Sequence, residues 1–154
     1  MHGNGVNGRY VTRFGFNYVS PFQQLAPAPT VFFEGPCASF SQHTAVTVNR
    51  YLPGSAITPH IDSHAFDDTI YILSLLGECD MLLRPPPSTR RYDGYPYDLP
   101  WQCEQFDSSD VTVMIPRRSL ITMTGEIRKT WMHGTEGSAH PRFSIVYRRL
   151  SRLR

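Results

Sequence analysis

The sequence predicts an all-β domain, a sandwich or barrel of short strands. Three observations carry that expectation. Runs of β-branched and aromatic residues recur at short, regular spacing. Thirteen prolines and eleven glycines punctuate them, and few windows longer than about ten residues sustain the 3.6-residue apolar period of a helix. The chain of 154 residues has the length of about one domain and can bury a real core.

Taken in order, residues 1–8 are Gly/Asn-rich and are expected to be disordered, vector-derived or the trimmed edge of a larger protein, leaving 9–154 as a single domain. Phe14, Phe16 and Tyr18 alternate as on a hairpin. Ala45 to Leu52 alternates, is β-branched and ends at the turn Pro53-Gly54. Thr69 to Leu76 is a nearly continuous apolar run closed by Gly77, which suits a buried strand. Further strands are expected at Asp80 to Arg84, Val111 to Ile115, Ser119 to Thr124, Arg128 to His133 and Arg142 to Leu150. Between them Pro85 to Asp107, with Tyr92, Tyr95, Tyr97, Trp101 and the pair Arg90-Arg91, is too long for an ordinary hairpin.

No stretch approaches the roughly 18 apolar residues of a spanning helix, so no membrane partner is expected. No secretory signal opens the chain, and Cys37, Cys79 and Cys103 form neither a CxxC pair nor an even framework. A reducing, intracellular compartment is the expectation. Net charge is only +2, but Arg142, Arg148, Arg149, Arg152 and Arg154 make the C-terminal end basic. That end is read equally as a solvated tail or as a face for RNA.

The sharpest motif is Pro59-His60-Ile61-Asp62-Ser63. On a strand, residues two apart project from one face, so an imidazole and a carboxylate would point together into a barrel mouth. They supply two-thirds of a 2-His-1-carboxylate site, which leaves open positions on Fe(II). His133, in Trp131-Met132-His133-Gly134, is the candidate third ligand, with His64 and His140 as rivals. On the last strand Arg142, Ser144, Val146 and Arg148 share a face. An arginine pointing inward needs an anion, and its planar guanidinium suits a carboxylate bidentately. Asn49 and Tyr51, also two apart, could bind the same acid.

The order Asn49-Arg50-Tyr51, His60-Ile61-Asp62, His133 and Arg142-Phe143-Ser144 through Arg148 resembles the AlkB family of dioxygenases. Pro116 to Leu120 with Met123-Thr124-Gly125-Glu126 and Trp131 to Gly134 resembles its branch acting on tRNA wobble uridines. Arg13 to Tyr18 resembles the aromatic segment before the nucleotide-recognition region. The stretches His60 to Ser63 and Ser74 to Leu76 also resemble a mitochondrial branch, for which protein targets are plausible.

The resemblance implies a double-stranded β-helix, jelly-roll or cupin-like, with few short helices. It implies His60, Asp62 and His133 as ligands of Fe(II), and Asn49, Tyr51, Arg142, Ser144 and Arg148 around the co-substrate 2-oxoglutarate. O2 would complete the reactants. Phe14, Phe16, Tyr18, Trp101 and Arg148 would face the substrate, the aromatics stacking on a flipped base. The expected partner is nucleic acid, RNA before DNA, in cytoplasm or nucleus, with an accessory protein allowed for. Hydroxylation and oxidative demethylation both fit. A protein substrate on the same fold is the alternative, and a non-enzymatic cupin-like module would need a broken triad, which this chain does not have.

Overall fold

The computed structural model describes residues 8–17, 23–85 and 110–151. Among these residues, eleven strands fall in three sheets. The larger sheet has the order β1-β4-β11-β6-β9 and is built from Arg9–Phe14 (β1), Ala45–Tyr51 (β4), Arg142–Arg148 (β11), Ile70–Leu76 (β6) and Ser119–Met123 (β9). The smaller has the order β5-β10-β7-β8, from Ile57–His60 (β5), Met132–Thr135 (β10), Cys79–Arg84 (β7) and Val111–Ile115 (β8). Phe16–Asn17 (β2) and Gln23–Gln24 (β3) make a small ribbon. The two larger sheets face one another as a double-stranded β-helix.

Alternation along the strands decides what faces the interior. On β4, Thr47, Asn49 and Tyr51 point into the space between the sheets, while Val46 and Val48 point away. β11 lies beside it with Arg142 opposite Tyr51, Ser144 opposite Asn49 and Val146 opposite Thr47. The inner apolar core unites Ile70, Ile72, Met123 and Val146 of the larger sheet with Cys79, Met81, Leu83 and Ile115 of the smaller. On the outer face, Val46, Ile145 and Tyr147 pack under Phe40, with Phe14, Phe32 and Phe33 against them. Phe32, Phe33 and Phe40 come from a cover of two 3-10 turns, Thr30–Phe33 and Gly35–Phe40, and Phe14 from β1. Both faces of β11 are therefore buried, which is why its sequence reads as nearly continuous burial.

Gly15 separates β1 from β2. Its φ is +78°, and a Cβ there would lie 1.5 Å from the Thr44 carbonyl oxygen, so only glycine fits this close approach.

Two expectations need correction. Arg128 to His133 is not one strand: Gly125–Lys129 forms a short helix (α1), and β10 starts only at Met132. Glu126 in the first turn and Arg128 and Lys129 in the last suit the helix dipole. Thr130 N–H closes the end by donating to the Glu126 carbonyl at 2.8 Å. Second, β5 ends at His60, so Asp62 lies just past the strand rather than on it. It is the loop 61–66, not strand alternation, that turns Asp62 inward.

Candidate metal centre and anion pocket

His60 and His133 are direct cross-strand partners of β5 and β10, with ring centroids 4.4 Å apart. Asp62 completes the group, and one ligand atom from each residue lies within 4.8 Å of the others. Asp62 and His133 are buried. The His60 Nδ1 is 3.0 Å from the Thr58 carbonyl oxygen, a contact that places the proton on Nδ1 and leaves the Nε2 lone pair free.

The protonation states of the three side chains suit a cation. Burial pushes both histidines below their ordinary value, His133 to about 3, with His60 adding to the effect on His133. Burial alone would raise the Asp62 carboxyl, but Arg148, and after it His133 and His60, hold it well below the usual carboxylate range. The resting site thus has two neutral imidazoles and one carboxylate. Asp62 Oδ2 is buried with no hydrogen-bond partner among the described residues and stands 3.6 Å from His133 Nε2, too far for a hydrogen bond. Two lone-pair atoms facing each other at the pocket wall fit a shared divalent ion.

Two arginines build the frame behind the carboxylate. Arg148 Nη2 donates to Asp62 Oδ1 at 2.7 Å and its Nη1 to Thr47 Oγ1 at 3.2 Å. Arg148 is therefore engaged by the candidate metal carboxylate, although it also borders the pocket. Arg128, 1 % exposed, holds the loop from the other side. It donates to the carbonyls of Asp62 at 3.1 Å, Ser63 at 2.8 Å and Phe66 at 3.2 Å. Sequence reasoning gave Arg128 no role, because its neighbours read as a polar strand.

Beside the triad is a pocket of about 470 Å³, counting space open to solvent. Asn49, Tyr51, Arg142 and Ser144 all border it, as do the three triad residues. Arg142 is 3 % exposed; its guanidinium lies 4.9 Å from the centre of the Tyr51 ring, and its Nε is buried without a hydrogen-bond partner among the described residues. Asn49 Nδ2 donates to Ser144 Oγ at 3.4 Å. Arg9, the first residue of the expected domain, to which sequence reasoning assigned no role, also borders this pocket.

The other candidates are placed elsewhere. Phe14 packs on Phe32 at 5.7 Å in the outer core, and Phe16 pairs with Gln24 in the small ribbon; neither borders the pocket. His64 and His140 are exposed and outside the triad. Tyr18, Trp101, Arg90, Arg91, Cys103, Arg152 and Arg154 lie outside the described residues.

No family model matches the chain. Over 90 residues, 58% of this chain, it is 41% identical to the tRNA (carboxymethyluridine(34)-5-O)-methyltransferase ALKBH8 of Macaca fascicularis. It is 37% identical over 97 residues to the alkylated DNA repair protein ALKBH8 homolog of Arabidopsis thaliana. The matches span 10% of the macaque protein and 25% of the plant one. In three dimensions it resembles OsALKBH1, with a TM-score of 0.61 and 13% identity over 92% of this chain and 78% of that one. Oxalate oxidase superposes with a TM-score of 0.50 at 12% identity, covering 96% of this chain and 53% of that one. These two likenesses concern the fold: an all-β double-stranded β-helix of the cupin kind. The sequence matches, which cover somewhat more than half of this chain, are to ALKBH8 proteins.

Proposed function

We propose that the chain is an Fe(II)- and 2-oxoglutarate-dependent oxygenase that hydroxylates or oxidatively demethylates a modified base in nucleic acid, with RNA, and tRNA in particular, as the favoured substrate. The observation that carries the oxygenase reading is the convergence of His60, Asp62 and His133 beside a buried arginine with no acidic partner among the described residues. The nucleic-acid reading rests on the relatives, whose printed names refer to tRNA and to DNA repair.

Fe(II) held by the three side chains would supply oxygen activation, with 2-oxoglutarate and O2 converted to succinate and CO2 as the substrate gains one oxygen atom. The protein's part is positioning. His60 keeps its Nδ1 proton on Thr58 and presents Nε2. Arg148 holds Asp62 by one oxygen and leaves the other turned toward His133. Arg142 is the natural partner of the far carboxylate of 2-oxoglutarate, since a buried guanidinium gains most from a bidentate anion. Tyr51, under that guanidinium, orients it, and Asn49 with Ser144 gives a polar wall.

The test is succinate release from 2-oxoglutarate by anaerobically iron-loaded protein, with and without total tRNA, beside His133→Ala. Turnover that rises with tRNA and disappears in the variant supports the proposal. Turnover indifferent to tRNA redirects the substrate to protein or DNA. Absence of both metal binding and turnover refutes it.

A further inference from the structure

Among the described residues, the pocket beside the triad is bordered by three arginines and one acid, Asp62. Arg148 is engaged by Asp62. That leaves Arg9 and Arg142, neither with an acidic partner among the described residues. Both belong to one cross-strand row: Arg9 of β1 is opposite Tyr51 of β4, and Tyr51 is opposite Arg142 of β11. Their guanidinium carbons lie 5.9 and 4.9 Å from the centre of the same Tyr51 ring. Arg9 is held by Asn49 Oδ1, which accepts from Nη2 at 2.8 Å and Nε at 3.2 Å.

Like charges gathered on one ring repel each other unless an anion comes between them. The Tyr51 face attracts each cation but neutralises neither. Asn49 orients Arg9 without changing its charge, and it uses its own acceptor in doing so. The pocket is therefore short of negative charge by two, and the shortfall is centred on Tyr51 rather than on the metal.

We propose that Arg9 is a second co-substrate-binding residue, closing with Arg142 on the far carboxylate of 2-oxoglutarate across the Tyr51 ring. The proposal rests on the reading of the site as a 2-oxoglutarate site. Arg9 comes from the strand that extends the larger sheet, so the chain's N-terminal edge takes part in selecting the co-substrate. A dicarboxylate is preferred over a 2-oxo acid that lacks the far carboxylate, and Arg9 is part of the reason.

The experiment is calorimetric titration of the Mn(II)-loaded full chain, with no turnover, using 2-oxoglutarate and its monocarboxylate counterpart 2-oxobutanoate. Wild type is compared with Arg9→Gln, Arg9→Lys and Arg142→Gln, and Mn(II) affinity is recorded for each. The expected result is a loss of about tenfold or more in 2-oxoglutarate affinity for Arg9→Gln, as for a charge-assisted hydrogen bond. Arg9→Lys should recover part of it, while 2-oxobutanoate and Mn(II) affinities stay unchanged. Equal losses for both 2-oxo acids would mean that Arg9 only supports Asn49 and the fold, and would overturn the proposal. So would unchanged 2-oxoglutarate binding by Arg9→Gln. Failure of the wild-type chain itself to bind 2-oxoglutarate would instead refute the site reading on which the proposal stands.

Discussion

Replacing Arg128 by methionine keeps most of the side chain's volume and removes its guanidinium. Three buried or half-buried carbonyls, those of Asp62, Ser63 and Phe66, then lose their donor. A buried acceptor left without a partner costs about 1–3 kcal/mol. The Ser63 carbonyl still accepts from the Phe66 N–H at 3.2 Å, so two such losses sum to about 2–6 kcal/mol, and two effects lower the figure. Burial already disfavours the charge on Arg128, an opposition that disappears with the guanidinium, and the loop can relax toward water. About 2–4 kcal/mol is the resulting expectation, a large part of the roughly 5–15 kcal/mol that stabilises a typical domain. Urea unfolding at equilibrium measures it, provided the transition slope is unchanged. The same loop presents Asp62, so Mn(II) affinity should fall by about 10–100-fold even at temperatures where the variant is folded. Arg128→Lys, able to reach fewer carbonyls, should lie between. A loss below about 1 kcal/mol with unchanged metal affinity would refute the view that Arg128 holds the metal loop.

The remaining predictions concern the triad and one turn. Saturating divalent metal at about a hundred times its dissociation constant should stabilise the wild type by about 2.7 kcal/mol; in thermal melts His133→Ala should show almost none of this. Metal-free protein should lose stability as pH falls from 7 to 5. The unfolded His133 takes up a proton near its ordinary 6.5 and the folded one only near 3, so the unfolded state binds more protons in that window. The loss from this residue is about 2 kcal/mol at pH 5, with no change above about pH 7, and His133→Asn should flatten the profile of urea midpoints. Gly15→Ala meets both a left-handed backbone and the Thr44 carbonyl, and should cost about 2 kcal/mol or more, lowering the melting temperature by roughly 4–8 °C.

Most of the larger strands were legible because their cause is local. Ala45–Tyr51 and Arg142–Arg148 alternate in side-chain type because one face meets the pocket and the other the aromatic cover, although both faces are largely buried. The helix at Gly125–Lys129 was missed because five residues are too few to show a period. Its signals were present in charge order, Glu126 before Arg128 and Lys129. The triad was readable from His60, Asp62 and the setting of His133, yet Asp62 reaches the site from a loop, so the strand argument gave the right neighbour by the wrong geometry. Arg9 and Arg128 were opaque for a common reason. Polar residues in polar surroundings look solvated, and only the folded chain shows that one meets Asn49 and the other a set of carbonyls.

Arg148 belongs to the larger sheet, and Asp62 follows a strand of the smaller one. Their ion pair is thus a strut between sheets, and the pocket takes residues from both. Any motion that spreads the sheets takes the site apart before either sheet loses its own hydrogen bonds. Ligand held in the pocket then acts as a clasp, slowing amide exchange on β5 and β11 together, although these strands share no edge.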